Sequence, residues 1–379
     1  MDINNVFMLD SLVVLVAACA VFLSLIPVAI VLAKRLNLLD YPVGRKQHSA
    51  ATPLVGGIAV YVAFAIVALV SAQSVVNESM LFWFSLVLMT GVADDYFDLS
   101  QKFRLVVHSL IVIGIALTDG HLVLSIGSIL GGNSMVTFIL PVAVLFTAIA
   151  VIGAINAVNM IDGVDGLLGS LAIISLVALL VIGSSSGVGQ QAVLSLTEIT
   201  ALIGALVGFL IFNSRFLGFK KAKVFMGDAG STVIGFVLVY LMIGFSQGDD
   251  AFISPVAAGW LLGLPLLDAS AVIAMRIMGG KSPISPGRDH LHHILLRRVG
   301  NTNKVVAVMA VLHTLMVSVG VFGTSLLGDS ADMVLFWLFV SLLPVRCLIA
   351  LQIDPEMALQ RDMLSTKLRA RFRKVLQTD

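Results

Sequence analysis

Charge is scarce in this sequence. Only 12% of its 379 residues are Asp, Glu, Lys or Arg, against about 25% in an average soluble domain, which excludes an ordinary water-soluble globule. Cysteine is scarcer still. Cys19 and Cys347 both sit in apolar runs without any CxxC pattern, so small packing residues are expected in place of a disulfide or a thiolate metal site. The opening stretch MDINNVFMLD has no Lys or Arg and no small-residue cleavage site. The run 11–33 is therefore expected to be an anchor and not a cleaved signal. A net charge of +1 says nothing about partners; the placement of the charges does.

Apolar sequence is what the chain has in abundance, at 59% of residues. Stretches of about 20 residues recur from end to end, the length a helix needs to cross a bilayer, so an all-α polytopic membrane protein is expected and a barrel is not. About eleven spans are read, at 11–33, 54–72, 79–93, 104–118, 135–155, 166–183, 191–213, 230–246, 253–277, 304–326 and 332–352. All 23 Lys and Arg fall in alternate connections, 34–53, 94–104, 214–229 and 276–304, and in the C-terminal stretch from 346, while the connection 156–165 on the same side holds none. The intervening segments, such as SAQSVVNES and DGHLVLSIGSILGGNS, hold none. Basic loops stay inside, so the N-terminus is expected outside, in the periplasm, and the C-terminus in the cytoplasm. No repeat or separate soluble domain stands out. Residues 1–352 read as one transmembrane domain, and 353–379 as a basic amphipathic tail on anionic lipid.

The dense acidic clusters share the basic loops' side. In GVADDYFDLSQKFRL, Asp94 and Asp95 close one span, Asp98 follows, and Lys102 and Arg104 begin the next. Adjacent carboxylates raise one another's pKa unless a cation stands between them; a solvated loop is the plainer alternative, but a short loop pinned by two spans favours a site. In NAVNMIDGVDGL, Asn156, Asn159 and Asp162 recur every third residue and are expected on one slowly drifting helix face. Gly163 and Gly166 let Asp165 point elsewhere or cap the next span. Polar groups at membrane depth are costly and usually functional.

In KVFMGDAGSTVIGF, Asp228 stands at a Gly-flanked turn before a helix. Its carboxylate can hold a divalent ion while nearby N–H groups face phosphate; simple N-capping is the alternative. In KSPISPGRDHLHHILLRR, His290, His292 and His293 follow Arg288. Zinc would need a second ligand cluster that is missing, and phosphate and sugar hydroxyls suit these side chains better. Asp268, near Gly263 and Pro265 in the ninth span, is expected to line a cavity. With DYPVGRKQHSAATPLVGG, these loops offer carboxylates for Mg²⁺ and cations for phosphate. That combination points to metal-assisted phosphoryl transfer at the inner membrane surface, with a lipid as one substrate. A secondary transporter would instead place polar groups near the bilayer midplane in paired halves, a pattern the sequence does not have.

Taken together and in order, DYPVGRKQH…TPLVGG, GVADDYFDLSQKFRL, NAVNMIDGVDGL, FMGDAGS and RDHLHH resemble the polyprenyl-phosphate N-acetylhexosamine-1-phosphate transferases, glycosyltransferase family 4, over residues 40–298. The resemblance implies attack of undecaprenyl phosphate on the β-phosphorus of UDP-GlcNAc, releasing UMP, as the first membrane step of a cell-envelope polysaccharide. It implies a bacterial inner-membrane enzyme with its site facing the cytoplasm. UDP-linked GalNAc, QuiNAc or FucNAc are alternative donors; the His-Leu-His-His order argues against the phospho-MurNAc-pentapeptide branch, which carries three consecutive histidines. Membrane lipid is a further partner, a homodimer stays open, and nucleic acid is not expected.

Carried over by motif, Asp228 would bind Mg²⁺, with Mn²⁺ as a substitute and Asn159 as a second oxygen ligand. Asp94 and Asp95 would deprotonate or orient the lipid phosphate or help organise the metal, and Asp162 would complete the catalytic set. Asp165, Phe225 and Asn213 would meet the nucleotide. Lys46, Arg104, Arg288, His290, His292 and His293 would meet phosphate and sugar, with Asp40, His48, Asp98, Asn156 and Asp268 as further candidates.

Overall fold

The computed structural model describes residues 3–41, 51–71, 78–132, 134–185, 190–216, 218–248, 251–283 and 287–353. In order the helices are α1 (Ile3–Leu36), α2 (Gly56–Val70), α3 (Glu78–Phe97), α4 (Gln101–Thr118), α5 (Leu140–Ile161), α6 (Leu167–Ser185) and α7 (Gln190–Asn213). Then come α8 (Gly227–Ser246), α9 (Pro255–Trp260), α10 (Gly263–Met278), α11 (Leu291–Val299), α12 (Thr302–Leu327) and α13 (Ala331–Ile353). A two-residue antiparallel pair, β1 (Leu39–Asp40) with β2 (Thr52–Pro53), brackets the stretch between α1 and α2. Among the described residues, eight stretches are long and apolar enough to cross a membrane, the last being the whole of Thr302–Ile353. The protein is a helical, multi-pass membrane protein.

The helices start and stop where local chemistry directs. Ser100, Ser254 and Asn301 accept N–H bonds from Phe103, Ala257 and Lys304 at the heads of α4, α9 and α12, satisfying donors that a helix N-terminus leaves open. Asp98, at φ +51°, turns the chain out of α3. The expected ninth span, 253–277, is not one helix. It breaks into α9 and α10 around Leu261 and Leu262, where Gly259, Gly263 and Pro265 weaken helical continuity. The basic connection after it carries a helix of its own, α11, where the sequence suggests only a loop.

The core is organised around α8, of which nearly every residue is buried. It packs against α2, α3, α5, α6 and α9, so the GDAG segment that opens it lies inside the bundle. Two close approaches fix its position. A Cβ on Gly57 would stand 2.0 Å from Cα of Gly230, and one on Gly91 would stand 2.4 Å from Cα of Ala229. Lipid has no hydrophobic drive to pull helices together, and small residues of this kind let backbones make contact instead.

Candidate active site

Two backbone pairings bring distant motifs side by side. Phe225 donates its N–H to Pro53 O (2.9 Å), while Gly56 and Gly57 donate to the carbonyls of Phe225 (2.9 Å) and Met226 (3.0 Å). The TPLVGG and KVFMGD segments therefore run together into the head of α8. Asn213, at the foot of α7, accepts from Gly166 N (2.7 Å) and donates to Val224 O (2.9 Å). Expected to meet the nucleotide, Asn213 instead commits its amide to backbone and clamps the two loops to each other.

Asp95 grips the same helix head from α3. Its Oδ1 accepts from Asp228 N (2.8 Å) and its Oδ2 from Ala229 N (3.0 Å). A carboxylate against the first N–H groups of a helix is favoured by both the unpaired donors and the helix dipole. Gly227 allows it: its φ is +76°, and a Cβ there would meet Oδ2 of Asp95 at 2.6 Å. Asp94 stands between Asp228 and Arg104. Its Oδ1 accepts from Leu99 N (2.8 Å) and its Oδ2 is paired with Arg104 at the start of α4. Asp95 thus holds the head of α8, while Asp94 is shared between Arg104, the turn at Leu99 and Asp228.

Asp228 follows at the start of α8. Asn159 donates from Nδ2 to its Oδ1 (2.6 Å) and to Ser231 Oγ (2.9 Å), holding the side chain in one orientation. Asp94 and Asp162 both lie close enough to Asp228 to feel its charge. Burial first, and then the charges of Asp228, Asp95 and Asp165, push the Asp162 carboxyl up to about 7. A site so rich in acid attracts a cation.

The histidines arrive from α11. A Cβ on Gly163 would stand 2.7 Å from Nε2 of His292 and 3.3 Å from Cε1 of His293, so the His-Leu-His-His turn abuts the NMIDG loop. His292 is fully buried, and neither ring nitrogen has a partner among the described residues. Burial, then the neighbouring His293, hold its imidazole well below the usual range. His293 is lowered to about 4 by burial and by His290, Arg288 and Arg297. Neutral rings beside acid are hydrogen-bonding groups for a ligand, not counter-ions. As pH falls below about 6.5, the ordinary imidazole value, the unfolded chain takes up a proton that His293 refuses until about 4, so this residue's contribution to stability declines across that window, while the raised Asp162 carboxyl contributes in the opposite sense. The difference in unfolding temperature between wild type and His293→Gln should move against wild type as pH falls from 7 to 4; a difference independent of pH would mean that His293 is not held neutral.

Other expected positions are placed differently. Asn156 is exposed and bonds Ile152 O of its own helix (2.8 Å), so it does not share the face of Asn159 and Asp162. Asp98 is exposed and serves the turn. Asp40 sits in β1 opposite Thr52, and Lys46 and His48 lie outside the described residues. Asp165 turns toward loop 214–226, where its Oδ2 accepts from Arg215 Nε (2.6 Å) and Ala222 N (3.2 Å). Phe225 is half-buried beside the GD turn, and Arg288 is exposed, its carbonyl accepting from Arg297. Asp268, expected to line a cavity, is instead buried against His290 and Arg346. The motifs did not single out Arg215 or Arg346. Arg346 does carry a signal, because an Arg within the apolar run LLPVRCLIAL is expensive unless paired.

Among the described residues no three His, Cys, Asp or Glu side chains are set to hold a metal ion by themselves. Magnesium seldom needs such a cage: it is typically held by one or two carboxylates, with phosphate oxygens and water completing six positions. Asp228 and Asp162, with the Asn159 amide beside them, fit an ion that arrives with a diphosphate.

Asp94, Asp95, Asp162, Asp228 and the histidine turn meet at one end of the bundle. Glycosyl transferase family 4 matches residues 77–246. The chain is 34% identical over 295 residues to the undecaprenyl-phosphate alpha-N-acetylglucosaminyl 1-phosphate transferase of Yersinia pestis, covering 78% of this chain and 79% of that protein. Proteins of the same name from Escherichia coli (strain K12), 35% identical over 76% of this chain and 77% of theirs, and Pasteurella multocida, 34% over 77% and 80%, are also similar. The chain belongs to glycosyl transferase family 4.

Proposed function

We propose that this protein transfers N-acetylglucosamine 1-phosphate from UDP-GlcNAc to undecaprenyl phosphate, releasing UMP. The observation that carries the proposal is the convergence at Gly163: carboxylates on one side, neutral histidines on the other, at the ends of membrane-spanning helices where a lipid phosphate and a nucleotide can meet. The names of the similar proteins supply the substrates. In the reaction an oxygen of the lipid phosphate bonds to the β-phosphorus of UDP-GlcNAc, the bond from that phosphorus to the bridging oxygen breaks, and the bridging oxygen leaves on UMP.

A bound Mg²⁺ would neutralise the diphosphate and orient it for in-line displacement. Asp228 and Asp162 would hold it, with Asn159 orienting Asp228 or adding its own oxygen. Asp95 keeps the head of α8 in place through the N–H groups of Asp228 and Ala229. Arg104, already paired with Asp94, stands where it can draw in the lipid phosphate. A phosphate monoester has a second pKa of about 6, so it reaches the site largely deprotonated and needs little help from a base. His292 and His293 would bond the diphosphate or the N-acetyl sugar. We further propose eleven crossings, with α9 and α10 forming one broken span, the N-terminus outside and the site in the cytoplasm, because the basic residues crowd the loops at that end.

Purified protein, UDP-GlcNAc, undecaprenyl phosphate and Mg²⁺ should release UMP. Chelation should stop the release, and Mg²⁺ or Mn²⁺ should restore it. Folded protein that releases no UMP from any UDP-N-acetylhexosamine would refute the transferase reading; undiminished turnover in excess chelator would refute the metal.

A further inference from the structure

A second buried polar centre lies behind the histidines. Asp268 on α10 is 1% exposed and Arg346 on α13 is 3% exposed. The guanidinium donates to Oδ1 of Asp268 from Nε (3.0 Å) and Nη2 (2.6 Å), and from Nη2 to the carbonyl of Asp289 (3.2 Å). The same carboxylate accepts from Leu291 N on Oδ1 (3.0 Å) and pairs with His290 Nδ1 on Oδ2 (2.9 Å). Leu291 is the first residue of α11, and the residue before it, His290, makes no side-chain cap bond. Asp268 thus caps α11 from another helix. Two long helices, the histidine loop and the head of α11 all meet at one carboxylate.

Plain anchoring does not account for Arg346. An arginine that snorkels from a helix end keeps its charged head in water, whereas this one is buried against an acid. A buried carboxylate that lost its cation would be left uncompensated and would reorganise, carrying with it whatever it holds.

We propose that Arg346 is a positioning residue for the transfer reaction: through Asp268 it fixes His290 and the first turn of α11, and so sets where His292 and His293 stand against Gly163. The proposal deepens the transferase reading and rests on it for its kinetic consequences. Arg346 touches no reacting atom in this scheme; it acts at two removes, by keeping the histidine turn from drifting.

The test uses the full chain in detergent or nanodiscs, with Arg346→Met, Arg346→Lys and the double variant Asp268→Leu/Arg346→Met. Three quantities are followed: UMP release resolved into kcat and KM for UDP-GlcNAc, unfolding temperature, and hydrogen exchange over residues 287–296. Arg346→Met is expected to lose about 100-fold in kcat/KM, the scale of a small misplacement of catalytic groups, with faster exchange over 287–296. Arg346→Lys, which keeps the charge but not the planar fork, should recover part of both. The double variant removes both charges, so its unfolding temperature should return toward wild type while turnover stays low and exchange stays fast.

A merely structural role predicts the opposite, turnover recovering together with stability, and that result would overturn the proposal. So would an Arg346→Met protein with wild-type turnover and exchange. If Arg346→Met does not fold, the lysine and double variants decide the matter. Should wild-type protein release no UMP, the transferase reading falls, and hydrogen exchange still reports whether Arg346 holds the loop.

Discussion

Asp228→Asn should release UMP about a thousandfold more slowly than wild type, the scale on which removing one group that stabilises transition-state charge reduces turnover, while unfolding at close to the wild-type temperature. The substitution is isosteric. The new side-chain amide can turn its carbonyl oxygen toward Asn159 and keep the bond that the wild-type Oδ1 accepts at 2.6 Å. The backbone N–H at position 228 still donates to Asp95, so the head of α8 stays docked. What disappears is one negative charge from a cluster that also holds Asp94, Asp95 and Asp162. Losing it relieves repulsion in the protein without ligand and removes the charge that the proposed magnesium–diphosphate would require. UMP release and thermal unfolding measured side by side separate these effects. A wild-type rate would eliminate Asp228 as the metal's carboxylate, and a collapse in unfolding temperature would make its role structural.

Gly57→Ala should damage stability and turnover together. The added methyl would stand 2.0 Å from Cα of Gly230, 2.4 Å from its nitrogen and 2.8 Å from the carbonyl of Met226. All three are backbone atoms, so no side chain can swing away and α2 must move from α8. Overpacking of this kind costs about 1–3 kcal/mol. The displaced segment is the one that carries Asp228, and a shift of about 1 Å there can cost about 100-fold in rate. Gly153→Ala on α5 is the matched control, since a Cβ at that position meets nothing within 4 Å and alanine is the better helix former. Thermal unfolding and UMP release for the two variants should diverge sharply. Equal behaviour would mean that the α2–α8 crossing tolerates separation and that the site does not depend on it.

Part of this architecture was legible without coordinates. Apolar runs of bilayer length forecast helices, and each expected span from 11–33 to 332–352 is helical at its centre. The ninth is the broken one, because Gly259, Gly263 and Pro265 interrupt it. The segregation of every Lys and Arg to alternate connections forecast that the acidic motifs share one end of the bundle, and Asp228 and Asn159 do meet, at 2.6 Å. Side-chain direction was harder to read. Three residues advance a helix by about 300°, so each step of three turns a side chain by about 60°. Asn156 and Asp162 are therefore about 120° apart, and Asn156 ends outside on the helix surface. Asp94 and Asp95 diverge by about 100° for the same reason, which is why one serves Arg104 and Leu99 and the other serves α8.

The sequence by itself determined that this chain is helical, multi-pass and rich in acid at one end, because burial in lipid requires long apolar helices and drives charge into the connections. It also carried the motifs that place the chain in its family. Only the tertiary structure decided which donors each carboxylate takes. Asp95 and Asn213 hold backbone, Asp228 accepts from Asn159, and Asp268 is joined to Arg346 across 78 positions of sequence. The physical reason is that a carboxylate's role depends on which donors reach it, and at this site the donors come from helices far apart along the chain.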